Sequence, residues 1–206
     1  MRPRHLLLLI TVISFAAPLT GKDPMLDWGD APDGPYPTLA SSDGASHGVS
    51  ALWLGDLVDA EPDGQPDATA TGDDLADSAD EDGIGLLWPL HPGAPSAVTV
   101  DSTGHGLLNA WIDFNGDGDW DDSGEQVAAD LALSAGVNHL SFPAPSIPVA
   151  DSTFARFRYT SLSSGGTLTA TGSAADGEVE DHRIFGALFA DGFETGGAGG
   201  WSTTQP

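Results

Sequence analysis

From residue 84 onward, apolar and polar positions alternate in short bursts. Ala97-Val98-Thr99-Val100, Leu107–Phe114, Val137–Phe142, Thr153–Thr160 and Val179–Phe185 each read as strands, separated by Gly, Pro and Ser breaks. Five or more short strands in about 100 residues, with no helical periodicity, predict an all-β fold: an antiparallel β-sandwich over 84–186. Residues 22–83 show no such alternation. They are rich in Asp, Gly, Pro and Ala with isolated anchors at Trp28, Tyr36, Leu39 and Ala51–Leu54, which predicts an irregular, acidic, turn-rich segment. Residues 1–21 read as a signal peptide, with Arg2 and Arg4 ahead of an apolar run from Leu6 to Ala17. That run is short for a bilayer span, which needs roughly 20 apolar residues. The cut can fall after Ala17 or at Gly21. Residues 187–206, ending in Gly196–Gly200 and Trp201, read as a flexible tail.

Two of these strands carry charge. In Phe154–Tyr159, alternation places Ala155, Phe157 and Tyr159 on one face and Arg156 with Arg158 on the other. In Glu178–Ile184 the acids at 178 and 180 share a face. The two arginines are expected to lie opposite Glu178 and Glu180 and to fix strand register, a structural task.

The charge balance narrows the function. Lys and Arg number 6 against 31 Asp and Glu, a formal net charge of -25. Phosphate contacts need clustered cations, so a nucleic-acid partner is excluded. After signal cleavage an anionic membrane surface is an equally poor partner. Export permits disulfides, yet the chain has no cysteine. No Lys or Arg lies between Lys22 and Arg156, so the acidic half repels itself on folding unless water or cations screen it.

Cations have an evident landing place. Asp113-Phe114-Asn115-Gly116-Asp117-Gly118-Asp119-Trp120, followed by Asp121, Asp122 and Glu125, puts oxygen ligands at loop positions 1, 3 and 5 with Gly at 6. That is how an EF-hand calcium loop begins. Its end departs, because Gly124 stands where Glu is needed and Glu125 comes one place late; the flanks read as strand. Asp113, Asn115, Asp117, Asp119 and Glu125 are the candidate ligands. Asp59-Ala60-Glu61-Pro62-Asp63-Gly64 repeats the spacing and makes Asp59, Glu61 and Asp63 a second candidate set, against a solvated acidic loop as the plain alternative. Magnesium fits less well, since it binds through few carboxylates. At extracellular affinities of roughly 10⁻⁴–10⁻³ M, millimolar calcium adds on the order of 0.4–1.4 kcal/mol per site.

Several motifs occur in a fixed order: Asp27-Trp28-Gly29-Asp30-Ala31-Pro32-Asp33, Tyr36-Pro37-Thr38, Gly72-Asp73-Asp74, Asp80-Glu81-Asp82-Gly83, Trp111–Trp120, Gly124-Glu125, Ala155–Tyr159 and Gly177-Glu178-Val179-Glu180-Asp181. Together, over Asp23 to Phe185, the chain resembles the GEVED domain, named for the last of them. His182 departs from the aromatic Tyr expected there. The resemblance implies an accessory module of secreted and surface-attached bacterial proteins, with no established catalytic activity. The segment Leu188–Gly196 with Trp201 is similar to a C-terminal stretch on many exported gammaproteobacterial proteins.

No GxSxG, HExxH or GxxxxGK[ST] motif is present, and the histidines are scattered. The expectation is therefore a secreted or cell-surface, calcium-stabilised, non-catalytic accessory or adhesion-type module. Its partners would be calcium and an extracellular polysaccharide or surface protein. The alternatives are a calcium-dependent carbohydrate-binding module using exposed tryptophans, and part of an extracellular hydrolase.

Overall fold

The computed structural model describes residues 25–72, 79–86, 90–145, 150–164 and 168–186. The signal peptide, the tail, Trp88 and Asp73, Asp74 and Asp77 lie outside the described residues. Among the described residues there are ten strands: β1 Leu26–Trp28, β2 Ser46–Gly48, β3 Ile84–Leu86, β4 Pro95–Ser102, β5 Gly106–Ile112, β6 Gln126–Leu133, β7 Gly136–Pro143, β8 Ser152–Ser161, β9 Ser173–Ala174 and β10 Glu178–Phe185.

The main sheet runs β10-β8-β5-β6 and is antiparallel throughout. A second antiparallel sheet, β3-β4-β7, packs on one of its faces. The core lies between them. Val98 and Val100 of β4 and Phe142 of β7 meet Leu108, Ala110 and Ile112 of β5, Ala155, Phe157 and Tyr159 of β8, and Ile184 of β10. Each set is spaced by two, so the alternation that predicts strands also chooses the face that leaves water. This is the all-β sandwich expected from the pattern.

The other face of the main sheet is covered too. The segment from Leu26 to Gly48 folds across it, with β1 and β2 antiparallel and β9 parallel to β2. Ala31, Tyr36 and Trp120 pack there on Trp111, with Phe154 alongside. Tyr36 stacks on Trp120 and Phe154 at centroid distances of 4.6 and 5.1 Å. β8 is therefore buried on both faces from Ala155 to Thr160.

Strand β6 escapes the alternation pattern for a local reason. Asp130 has φ 48, and the β5–β6 register slips between Leu108 and Ala110. Asn109 and Asp130 bond each other across the slip, Nδ2 to Oδ1 at 3.2 Å and Asp130 N–H to Oδ1 at 3.1 Å. A bulge shifts the inward set by one, so the period-two signal fades.

Candidate functional site

On the covered face of β8, Arg156 and Arg158 are fully buried. Register overturns the expected partners: Arg156 lies opposite Asp181 and Arg158 opposite Val179, while Glu178 and Glu180 pair with Tyr159 and Phe157. Arginines and glutamates therefore occupy opposite faces of the sheet. Arg156 makes a two-pronged pair with Asp181, Nε to Oδ1 and Nη2 to Oδ2, both 2.7 Å. Its Nη1 donates to the carbonyls of Pro37 and Ala170. Arg158 donates to the carbonyls of Thr169, Thr171 and Gly172 at 2.7 Å and to His47 Nε2 at 3.0 Å. The planar fork suits this task, since one cation organises several carbonyls.

His47 accepts from Arg158 through Nε2, so Nδ1 carries the proton and donates to Asp176 O at 2.8 Å. Burial, with Arg158 adding to it, pushes its pKa down to about 3. Burial and the neighbouring Arg156 push Arg158 down to about 9, which leaves it a cation at neutral pH.

Acids then tie backbone to backbone. Asp181 Oδ2 accepts N–H groups from Asp30 at 3.0 Å and Ala31 at 2.9 Å. Asp27 Oδ2 accepts from Val179 at 2.6 Å, and Asp30 Oδ2 from Gly72 at 2.8 Å. On the opposite face, Glu178 accepts the Leu54 N–H, and Glu180 Oε1 accepts the Gly83 N–H at 2.9 Å. Burial first, then neighbouring acids, raises Glu178 well above the ordinary carboxylate range; burial raises Glu180 as well. Both carboxylates sit on the apolar face beside Phe157 and Tyr159, which is why desolvation dominates.

The 113 loop uses its acids on its own turn. Asp113, buried at the end of β5, accepts Gly116 N–H at 2.6 Å, Gly118 N–H at 3.0 Å and the Tyr36 hydroxyl at 2.6 Å. Glu125 accepts the Phe114 and Asp122 N–H groups. Burial pushes its pKa up to about 7. Asn115 Nδ2 donates to Asp117 Oδ2 and Asp122 Oδ2, and Asp119 Oδ1 accepts Asp121 N–H. Gly116 and Gly118 have φ of 72 and 96, the left-handed turn that the Asp-Gly pattern encodes.

The 59 segment behaves differently. Asp59, Glu61 and Asp80 bring carboxylate oxygens within 4.8 Å of one another, the set of three acids so close among the described residues. Asp63 is not in it; its Oδ1 accepts Ala40 N–H at 2.7 Å and Gly64 N–H at 2.9 Å. Asp80, which local spacing does not mark, arrives from the approach to β3. Its Oδ2 accepts Asp59 N–H at 3.0 Å. Glu61 is 5 % exposed and bridges to β1: its N–H bonds Leu26 O at 2.9 Å, and its Oε2 accepts Trp28 N–H at 3.1 Å. Burial, then Asp59, pushes Glu61 up to about 9.

Residues 107–185, from β5 to the end of β10, match the family model of the GEVED domain. This part of the chain is a GEVED domain. No curated protein and no solved structure matches the chain. GEVED domains are accessory modules of secreted and surface proteins, and the geometry gives the name-giving motif a physical meaning. Gly177 has φ 106, and a Cβ there would strike the Tyr159 carbonyl. Glu178 and Glu180 dock loops on the apolar face, and Asp181 pairs with Arg156 on the other. His182, in place of the expected Tyr, sets its ring edge-on to Phe157 at 5.8 Å and meets Glu180 Oε2 at 3.0 Å, so an aromatic contact is retained.

Proposed function

We propose that this chain is a secreted or cell-surface, non-catalytic accessory module of adhesion type, held stiff by calcium. One observation carries the reading: the motif acids and both buried arginines are turned inward onto backbone groups of loops far away in sequence. Glu178 to Leu54, Glu180 to Gly83 and Asp181 to Ala31 are examples. Side chains engaged this way build a rigid frame rather than a reaction centre. The leader sequence supports export, and no helix among the described residues is long and apolar enough to cross a membrane. Calcium is the cation that suits oxygen-rich loops with carboxylates in EF-hand-like spacing. The 113 loop, through Asp113, Asn115, Asp117, Asp119 and Glu125, and the 59–63 turn are its proposed seats.

The test is isothermal titration of chelator-stripped protein with calcium, run beside melting curves. Calcium uptake with a rise in melting temperature that chelator reverses supports the reading. Identical melting curves in calcium and chelator, with no heat of binding, would remove it.

A carbohydrate-binding role has one observation in favour: an open cleft of about 440 Å³ lined by Trp111, Trp120, Asp121, Asp122 and Gln126. Against it, Trp120 is only 6 % exposed and Trp28 7 %, so neither offers the open face on which a sugar stacks. A glycan array in calcium and in chelator decides between the two roles.

A further inference from the structure

Within the calcium reading, on which this inference rests, we propose that Asp59, Glu61 and Asp80 form a buried site for one oxygen-preferring divalent cation, calcium. The site joins the turn after β1 and β2 to the approach to β3. Local spacing groups Asp63 with Asp59 and Glu61; the fold brings Asp80 to them instead.

Three observations converge. The carboxylate oxygens of the three residues lie within 4.8 Å of one another, close enough for a single ion at ordinary oxygen–calcium distances of about 2.3–2.6 Å to touch all of them. Glu61 is 95 % buried, since its exposure is 5 %, and its Oε1 has no hydrogen-bond partner while Oε2 is held by Trp28 N–H. A buried carboxylate oxygen left without a donor is destabilising, and a cation supplies what it lacks. The third observation concerns the arginines. Arg156 and Arg158 are committed to Asp181, His47 and loop carbonyls, and Arg183 donates to Ser152 Oγ and lies over the Phe185 ring.

The donor set selects the ion. Three carboxylates, with no thiolate and no imidazole among them, suit a hard cation and disfavour zinc or copper. The high local negative charge favours calcium, which accepts many oxygens in flexible geometry, over magnesium, which keeps its waters.

The site predicts a sign reversal. Without metal the three acids repel one another, so Asp80→Asn and Glu61→Gln should melt at or above wild type in chelator. In calcium the order reverses: wild type rises and the two variants do not follow. Both substitutions keep an acceptor oxygen for Asp59 N–H and Trp28 N–H, which guards against simple misfolding. By titration with calcium alone, each variant should lose one ion from the wild-type stoichiometry or weaken that ion's binding about tenfold or more. Asp63→Asn, a neighbouring carboxylate outside the cluster, should retain the wild-type count. If wild type takes up calcium and both variants take up the same number of ions with the same affinity, this site is overturned while the broader calcium reading stands. If wild type takes up none, both fall. Variants that lose stability equally in calcium and chelator also overturn the site, because their acids then act only as hydrogen-bond acceptors.

Discussion

The 113 loop and the 59 turn share one sequence pattern and reach opposite ends. In each, oxygen-bearing residues stand at positions 1, 3 and 5 with Gly at 6. At 113 the first acid is buried and organises its own turn through Gly116 and Gly118, while Asn115, Asp117 and Asp119 stay exposed. At 59 the third position is buried against β1 with the half-buried first position beside it, the fifth turns away to Ala40, and Asp80 completes the group. Spacing alone therefore encodes a turn. Whether the turn gathers charge depends on what lies over it: for Glu61 that is β1 and Asp80, and for Asp117 it is water.

The largest test of this contrast removes the frame on which both regions hang. Arg156→Met leaves Asp181 buried without its cation and releases Pro37 and Ala170, next to the Tyr36 that holds Asp113. A loss of about 3–5 kcal/mol is expected in denaturant unfolding, with and without calcium. A loss near zero would mean that the N-terminal cover is held by apolar packing alone.

Next comes Asp113→Ala, which strands two glycine N–H groups and the Tyr36 hydroxyl. It should cost about 1–3 kcal/mol in chelator already, since its acceptor role needs no metal. A cost seen only in calcium would make Asp113 chiefly a ligand and erase the contrast with Glu61.

The pH dependence of the metal-free protein is a third probe. Glu61 and Glu125 have folded pKa values raised to about 9 and about 7, so the folded state holds protons that the unfolded state has released. Their stabilisation is complete below the ordinary carboxylate range and is lost as pH rises through those values. His47 acts in the opposite sense, because its lowered pKa makes stability fall as pH drops from about 6.5 towards about 3. Above about pH 6.5 the acids alone act, so the melting temperature in chelator should fall steadily towards pH 9. Calcium should flatten that slope, chiefly through Glu61, and a Glu61→Gln variant should be flatter in chelator than wild type.

The smallest effect is expected at the exposed end of the comparison. Asp117→Asn should change stability in chelator by less than about 0.5 kcal/mol, as surface substitutions do. In millimolar calcium it should forfeit on the order of 0.4–1.4 kcal/mol, one weak site's contribution. Equal melting curves in calcium for variant and wild type would leave the buried cluster as the remaining candidate for calcium.

Sequence alone determined a good deal of this protein. Alternation located β4, β5, β7, β8 and β10, because the period of a strand is local and water decides which face is hidden. It also separated Arg156 and Arg158 from Phe157, and the motifs from Trp111 to Asp181 pointed to the GEVED domain matched over residues 107–185. Tertiary structure decided the rest. The bulge at Asp130 hid β6 by breaking the period. Register placed Asp181, not Glu178 or Glu180, against the arginines, since a one-residue slip changes every partner and the pattern within a single strand cannot reveal it. Asp80 joined Glu61 only because the approach to β3 returns to the 59 turn, where Asp80 Oδ2 accepts Asp59 N–H. Contacts between residues far apart in sequence depend on how the chain closes its loops, and no spacing rule within one loop contains that information.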